Sequence, residues 1–103
     1  EIINIKLMKT GGISNALKIA DIADLHDVEC MVGCMLETSI GVSAAAHMAA
    51  AKAPVVSKLD LDVPSLCQFD PVVGGASYKD ADIILNETPG LGIEKIEGLQ
   101  LLA

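Results

Sequence analysis

Apolar and polar positions along the first sixty residues repeat one pattern: a short β-branched run, a turn, then apolar residues at helical spacing. Ile2, Ile3, Ile5 and Leu7 predict a strand over residues 1–8, closed by the turn signal Gly11-Gly12. Ser14 is the expected N-cap of a helix running to about Leu25, in which Ala16, Leu17, Ile19, Ala20, Ile22 and Ala23 recur with the helical period. His26-Asp27 close it in a polar turn, where His26 is a solvated helix-end residue. A second strand is predicted over residues 29–35, an alanine-rich helix over 39–52, and a third strand over 55–62 before Pro64.

Beyond Ser65 the repeat stops. Residues 69–78 predict two short strands around Gly74-Gly75, Asp82-Ile83-Ile84-Leu85 a further one, and residues 95–103 an amphipathic tail. The chain thus divides into three strand–helix units over residues 1–64 and, over residues 65–103, an extension expected to fold back over something outside the chain.

Strand side chains alternate between faces, and this sets out the candidate chemistry. Ile3, Ile5 and Leu7 share one face; Asn4, Lys6 and Met8 share the other. If the greasy face packs under the helix, Lys6 points to the side that becomes the interior of a closed sheet. A lysine there either snorkels to solvent, pairs with a carboxylate, or serves as a base at the carboxyl end of its strand. On the third strand, Asp60 and Asp62 are expected on one face about 6.6 Å apart along the chain, opposite Leu59, Leu61 and Val63. Such a pair is a set of solvated acids, an accessible cation site, or a two-carboxylate grip on a substrate ammonium. An inward lysine on one strand and an acid pair on another favour the grip. His47, in the apolar middle of the second helix, is expected to be a core histidine without chemistry.

Charge and cysteine usage narrow the partners. Seven basic against 14 acidic residues give a net charge of −7, which disfavours nucleic acid and anionic membranes and points to a small-molecule partner. A hydrophobic content of 51% supplies a core, and no segment has the length and apolarity of a membrane span or signal peptide. The three cysteines fall in apolar segments, which suggests a reducing, cytoplasmic setting rather than a disulfide framework. Cys30 and Cys34 on one strand stand roughly 13 Å apart, too far to share a metal ion, and are expected to be core residues.

With 103 residues the chain is too short for a whole (β/α)8 barrel, which takes about 250. Its motifs nevertheless resemble the enolase superfamily, muconate-lactonising subgroup, and within it the dipeptide epimerases. The resemblance rests on Asn4-Ile5-Lys6-Leu7-Met8-Lys9-Thr10-Gly11-Gly12, Glu29-Cys30-Met31-Val32-Gly33-Cys34-Met35-Leu36-Glu37-Thr38, Asp60-Leu61-Asp62 and Pro89-Gly90-Leu91-Gly92-Ile93-Glu94, in that order along essentially the whole chain. It implies an α/β fold made of the sixth to eighth βα units of a barrel, followed by a C-terminal segment returning to a capping domain.

The same resemblance implies a 1,1-proton transfer at the α-carbon of a dipeptide residue, with Mg2+ stabilising the enediolate. Lys6 then matches one of two lysines on opposite sides of that carbon, while Lys9 is surface charge. Asp60 and Asp62 hold the dipeptide's ammonium, and Cys34 to Leu36 line the substrate groove. The other lysine, the metal ligands and the cap belong upstream of Glu1, so this piece is expected to be inactive alone. The alternatives are a non-catalytic α/β module that binds a cationic ligand or divalent ion, self-associating to cover its open sheet, and another racemase or cycloisomerase of the superfamily.

Overall fold

The computed structural model describes residues 1–102. In chain order the elements are β1 (Ile2–Ile5), α1 (Leu7–Thr10), α2 (Ile13–Leu25), β2 (Glu29–Gly33), α3 (Ser39–Ala51), β3 (Val56–Asp60), α4 (Val63–Leu66), β4 (Val72–Gly74), β5 (Ser77–Lys79), β6 (Asp82–Ile84) and β7 (Ile93–Ile96). The first three strands form one parallel sheet in the order β1-β2-β3, with Ile5 beside Val32 and Gly33 beside Asp60. Parallel neighbours require crossovers, and the two long helices supply them.

The core lies between this sheet and helices α2 and α3. Ile5, Cys30 and Val32 come from the strands, Ala16, Ala20 and Ala23 from α2, and Val42, Ala45, Met48 and Ala49 from α3. Alanine on the packed helix faces leaves little side chain in the way, so the helix backbones approach the strands closely, and the two helices also pack against each other. Cys30 and Cys34 are core residues as expected, 0% and 9% exposed. All three cysteines are free.

The elements of residues 1–64 form in the expected order, but β2 ends at Gly33 rather than residue 35, which leaves Cys34 just past the strand, and three further local corrections apply. First, β1 stops at Ile5: Lys6 is still extended (φ −130°, ψ 124°), but Leu7 and Met8 belong to the turn of α1, which Gly11 closes in the left-handed region at φ 79°. Second, Ser14 is not the N-cap. Gly12, at φ 114° and ψ −178°, takes that position without a side-chain cap, so the glycine pair itself sets the start of α2. Third, β3 ends at Asp60. Asp62 is helical (φ −88°, ψ −7°) and precedes α4, whose first turn holds Pro64, so the two aspartates do not share a strand face.

The extension departs further from expectation. The runs on either side of Gly74-Gly75 are strands, but they do not pair with each other. With Gly74 and Gly75 at φ 84° and 78°, the chain is redirected so that β4 pairs antiparallel with β7, which begins two residues before the predicted tail, while β5 and β6 make a separate hairpin. What the extension covers is also this chain's own. The Ser43 hydroxyl, fully buried on α3, accepts a 2.9 Å hydrogen bond from the Ala76 amide, Ser39 is bonded to Asp70, and Ile83 and Leu85 pack on the core. Serines and alanines on that helix face are too small to close it off from water, and the extension completes the burial.

Candidate active-site edge

Because β1, β2 and β3 are parallel, their carboxyl ends emerge along one edge, and that edge brings together the residues singled out from sequence. Lys6 is half-buried, and its Nζ donates a 2.8 Å hydrogen bond to the main-chain carbonyl of Cys34. The Cys34 amide in turn donates to the Asp60 carbonyl at 3.2 Å, and the Cys34 thiol to the same oxygen at 3.4 Å. The ends of the three strands are therefore laced through Cys34. Burial pushes its thiol pKa up, and the negative charges of Glu37, Asp60 and Asp62 add to this against a hydrogen bond with the Val63 backbone. What Cys34 offers the edge is its carbonyl, since its side chain belongs to the core.

Leu36 follows on the same edge and is 84% exposed. The Glu37 carboxylate accepts a 3.0 Å bond from the Met35 amide and lies over Gly41 in the first turn of α3. There it faces the positive end of the helix, whose N-cap Thr38 accepts from the Ile40 amide at 3.4 Å. These contacts fix the loop between β2 and α3. Lys9 is exposed in the last turn of α1, and His47 is half-buried on α3, one helix away from the edge.

Asp60 and Asp62, both exposed, line a cleft of about 220 Å3 with Leu59, Tyr78, Asp80 and Ile83. The loss of strand geometry after Asp60 turns the chain so that the two carboxylates reach one cleft although they are not on one strand. Tyr78, from β5, donates its hydroxyl to the Leu61 carbonyl, between the two aspartates. Its own pKa is raised to about 12, first by burial and then by the negative charges of Cys34, Asp62 and Asp70. Sequence reasoning missed Tyr78, because nothing local in the extension indicates that β5 returns to the end of β3.

Among the described residues, no three His, Cys, Asp or Glu side chains converge as a metal ion would require. Nor is any helix among them long and apolar enough to cross a membrane.

A three-stranded parallel α/β sheet thus carries a lysine and two aspartates at its carboxyl edge. The chain belongs to the enolase C-terminal domain-like family, whose model matches residues 1–98. It is 58% identical over 96 residues to an L-Ala-D/L-Glu epimerase from Clostridium acetobutylicum, covering 93% of this chain and 26% of that protein. The structure of a substrate-liganded complex of the L-Ala-D/L-Glu epimerase from Bacillus subtilis superposes with a TM-score of 0.88 at 46% identity, over 92% of this chain and 26% of that one. A dipeptide epimerase from Methylococcus capsulatus, complexed with Mg and the dipeptide L-Arg-D-Lys, gives 0.86 at 42% identity, over 89% and 26% of the two chains. The chain spans about a quarter of the length of these relatives, which are isomerases.

Proposed function

We propose that this chain is the C-terminal quarter of a dipeptide epimerase, in which Lys6 moves a proton at one face of the substrate α-carbon and Asp60 and Asp62 hold the N-terminal ammonium. The reading is supported above all by one observation: the Lys6 amine and the Asp60–Asp62 cleft occupy the same carboxyl edge of one parallel sheet, with one strand between them.

The Cys34 carbonyl holds the Lys6 nitrogen by one N–H, which leaves the rest of the amine free to take up or return a proton. Strands β1 and β3 are separated by two strand spacings, about 10 Å. A lysine side chain reaching inward from one and carboxylates from the other leave room for a dipeptide, whose second α-carbon and N-terminal nitrogen lie roughly 5 Å apart. Two charge-assisted contacts at the ammonium orient the substrate without touching the reacting carbon.

Upstream strands would close the barrel, and a capping domain would meet the substrate. A divalent metal that stabilises negative charge on the substrate carboxylate would be held by residues of those upstream parts, since the described residues do not form a ligand set.

The test compares a dipeptide with its N-acetylated analogue in the complete enzyme. The parent should prefer the free amine, and Asp60→Asn or Asp62→Asn should lose about 2–5 kcal/mol of kcat/KM on it while keeping activity on the capped compound. A parent indifferent to acetylation would mean that the acids do not hold an ammonium, and would favour an acylated amino acid as substrate.

A further inference from the structure

Gly33 closes β2 with a backbone that any residue could adopt, so its lack of a side chain is not required by its own φ. Glycine weakens a strand, and in a strand interior or end it often marks the close approach of another group. Here that group is identifiable. A Cβ on Gly33 would stand 3.0 Å from Asn4 Oδ1 and 3.5 Å from both Cε and Nζ of Lys6. Asn4 and Lys6 share one face of β1, so both side chains fold over the neighbouring strand at the point where it lacks one. Gly33 is also the register partner of Asp60. The empty position therefore lies directly between the lysine and the first aspartate.

We propose that Gly33 is a positioning residue for the Lys6 amine: the gap it leaves receives Asn4 and Lys6 and keeps the floor between Lys6 and Asp60 open to the substrate. This rests on Lys6 being an acid–base group. A methyl at Gly33 meets Asn4 first, at a distance tighter than ordinary carbon–oxygen contact. The Asn4 amide has to shift within a gap it shares with Lys6, and the amine moves with it or loses its hold on the Cys34 carbonyl. Displacing a reacting group by an ångström costs about tenfold to a hundredfold in rate.

The experiment uses the complete enzyme as parent, Gly33→Ala, Gly33→Ala with Asn4→Ala, and Lys6→Ala. Deuterium incorporation at the α-carbon is followed from each epimer separately, together with the melting temperature. Lys6→Ala identifies the epimer whose exchange depends on Lys6. Gly33→Ala should slow that exchange about tenfold or more while exchange from the other epimer and the melting temperature stay near parental values. Adding Asn4→Ala should restore part of the loss, because the new methyl then keeps only its 3.5 Å contacts with Lys6. Parental exchange from both epimers in Gly33→Ala overturns the proposal, as does an equal loss on both that Asn4→Ala does not relieve. If Lys6→Ala leaves both exchanges intact, the acid–base reading falls and this inference with it; a one-sided Lys6→Ala beside an unaffected Gly33→Ala removes only the role of Gly33.

Discussion

The Cys34 carbonyl accepts a hydrogen bond from the Lys6 amine at 2.8 Å, while the thiol of this core residue donates to the Asp60 carbonyl at 3.4 Å. One residue thus orients the lysine through its main chain and anchors the acid-bearing strand through its side chain. Its thiol is correspondingly withdrawn from solvent.

Burial pushes the thiols of both Cys30 and Cys34 above the ordinary range, whereas Cys67 is only half-buried. The reactive species is the thiolate, so raised values mean less of it at neutral pH. Iodoacetamide at neutral pH should label Cys67 well before the other two, as read by peptide mass mapping. Labelling of Cys34 should climb only at pH values above that of an ordinary thiol. Early modification of Cys34 would contradict its place in the core.

Tyr78 carries a pH signature. Its pKa is about 12 in the folded protein, against about 10 in an unfolded chain. The neutral phenol is therefore the form the fold favours: its contribution is fully present below pH 10 and is lost as pH rises towards 12. Stability should fall across that window more steeply in the parent than in Tyr78→Phe, measured by urea unfolding at a series of pH values. The effect is expected to be modest because Tyr78 is 39% exposed. Identical pH slopes would remove Tyr78 from the contact with Leu61.

Two glycines of the extension give a matched comparison. Gly90 and Gly92 both have positive φ, 67° and 71°, but a side chain on Gly90 would meet nothing within 4 Å, whereas one on Gly92 would collide with the Asn86 amide. That amide donates to the carbonyls of Gly75 at 3.3 Å and Gly92 at 3.1 Å, and accepts from the Thr88 amide and hydroxyl. Gly90→Ala should cost about 1 kcal/mol of backbone strain. Gly92→Ala should cost a further 1–2 kcal/mol, approximately, as the Asn86 bonds are displaced. Equal losses in urea unfolding would mean that Asn86 does not hold the extension together.

The strand–helix repeat of residues 1–64 was legible because hydrophobic period and turn residues agree there: Ile2 to Ile5, the alanine faces of α2 and α3, and Gly11-Gly12 all point the same way. Element ends were less legible. β1 and β3 each stop short of where their apolar alternation runs out, because the chain after Ile5 and after Leu61 turns into a short helix held by packing that sequence does not display. The pairing of β4 with β7 joins segments about twenty residues apart, and Gly74 reads equally well as a hairpin turn or as a kink. At the candidate edge, residue type and expected strand face singled out Lys6, Asp60 and Asp62, although the two aspartates do not share a strand face. The supporting residues Asn4, Gly33 and Tyr78 were not legible, since their significance lies in what approaches them across strands.

The proposed role of Lys6 is most directly exposed by proton exchange in the complete enzyme. Dipeptide of each epimeric form is incubated in deuterated solvent with the parent and with Lys6→Ala, and α-deuterium incorporation is followed by NMR. With one base on each face of the α-carbon, Lys6→Ala should abolish epimerisation and exchange from one epimer, while exchange from the other persists. Lys9→Ala, with its exposed side chain in α1, should leave both within about twofold of the parent, as for a surface position outside the site. Exchange from both epimers surviving in Lys6→Ala, or equal losses in the Lys6 and Lys9 variants, would contradict the assignment of Lys6 as the acid–base group of this edge.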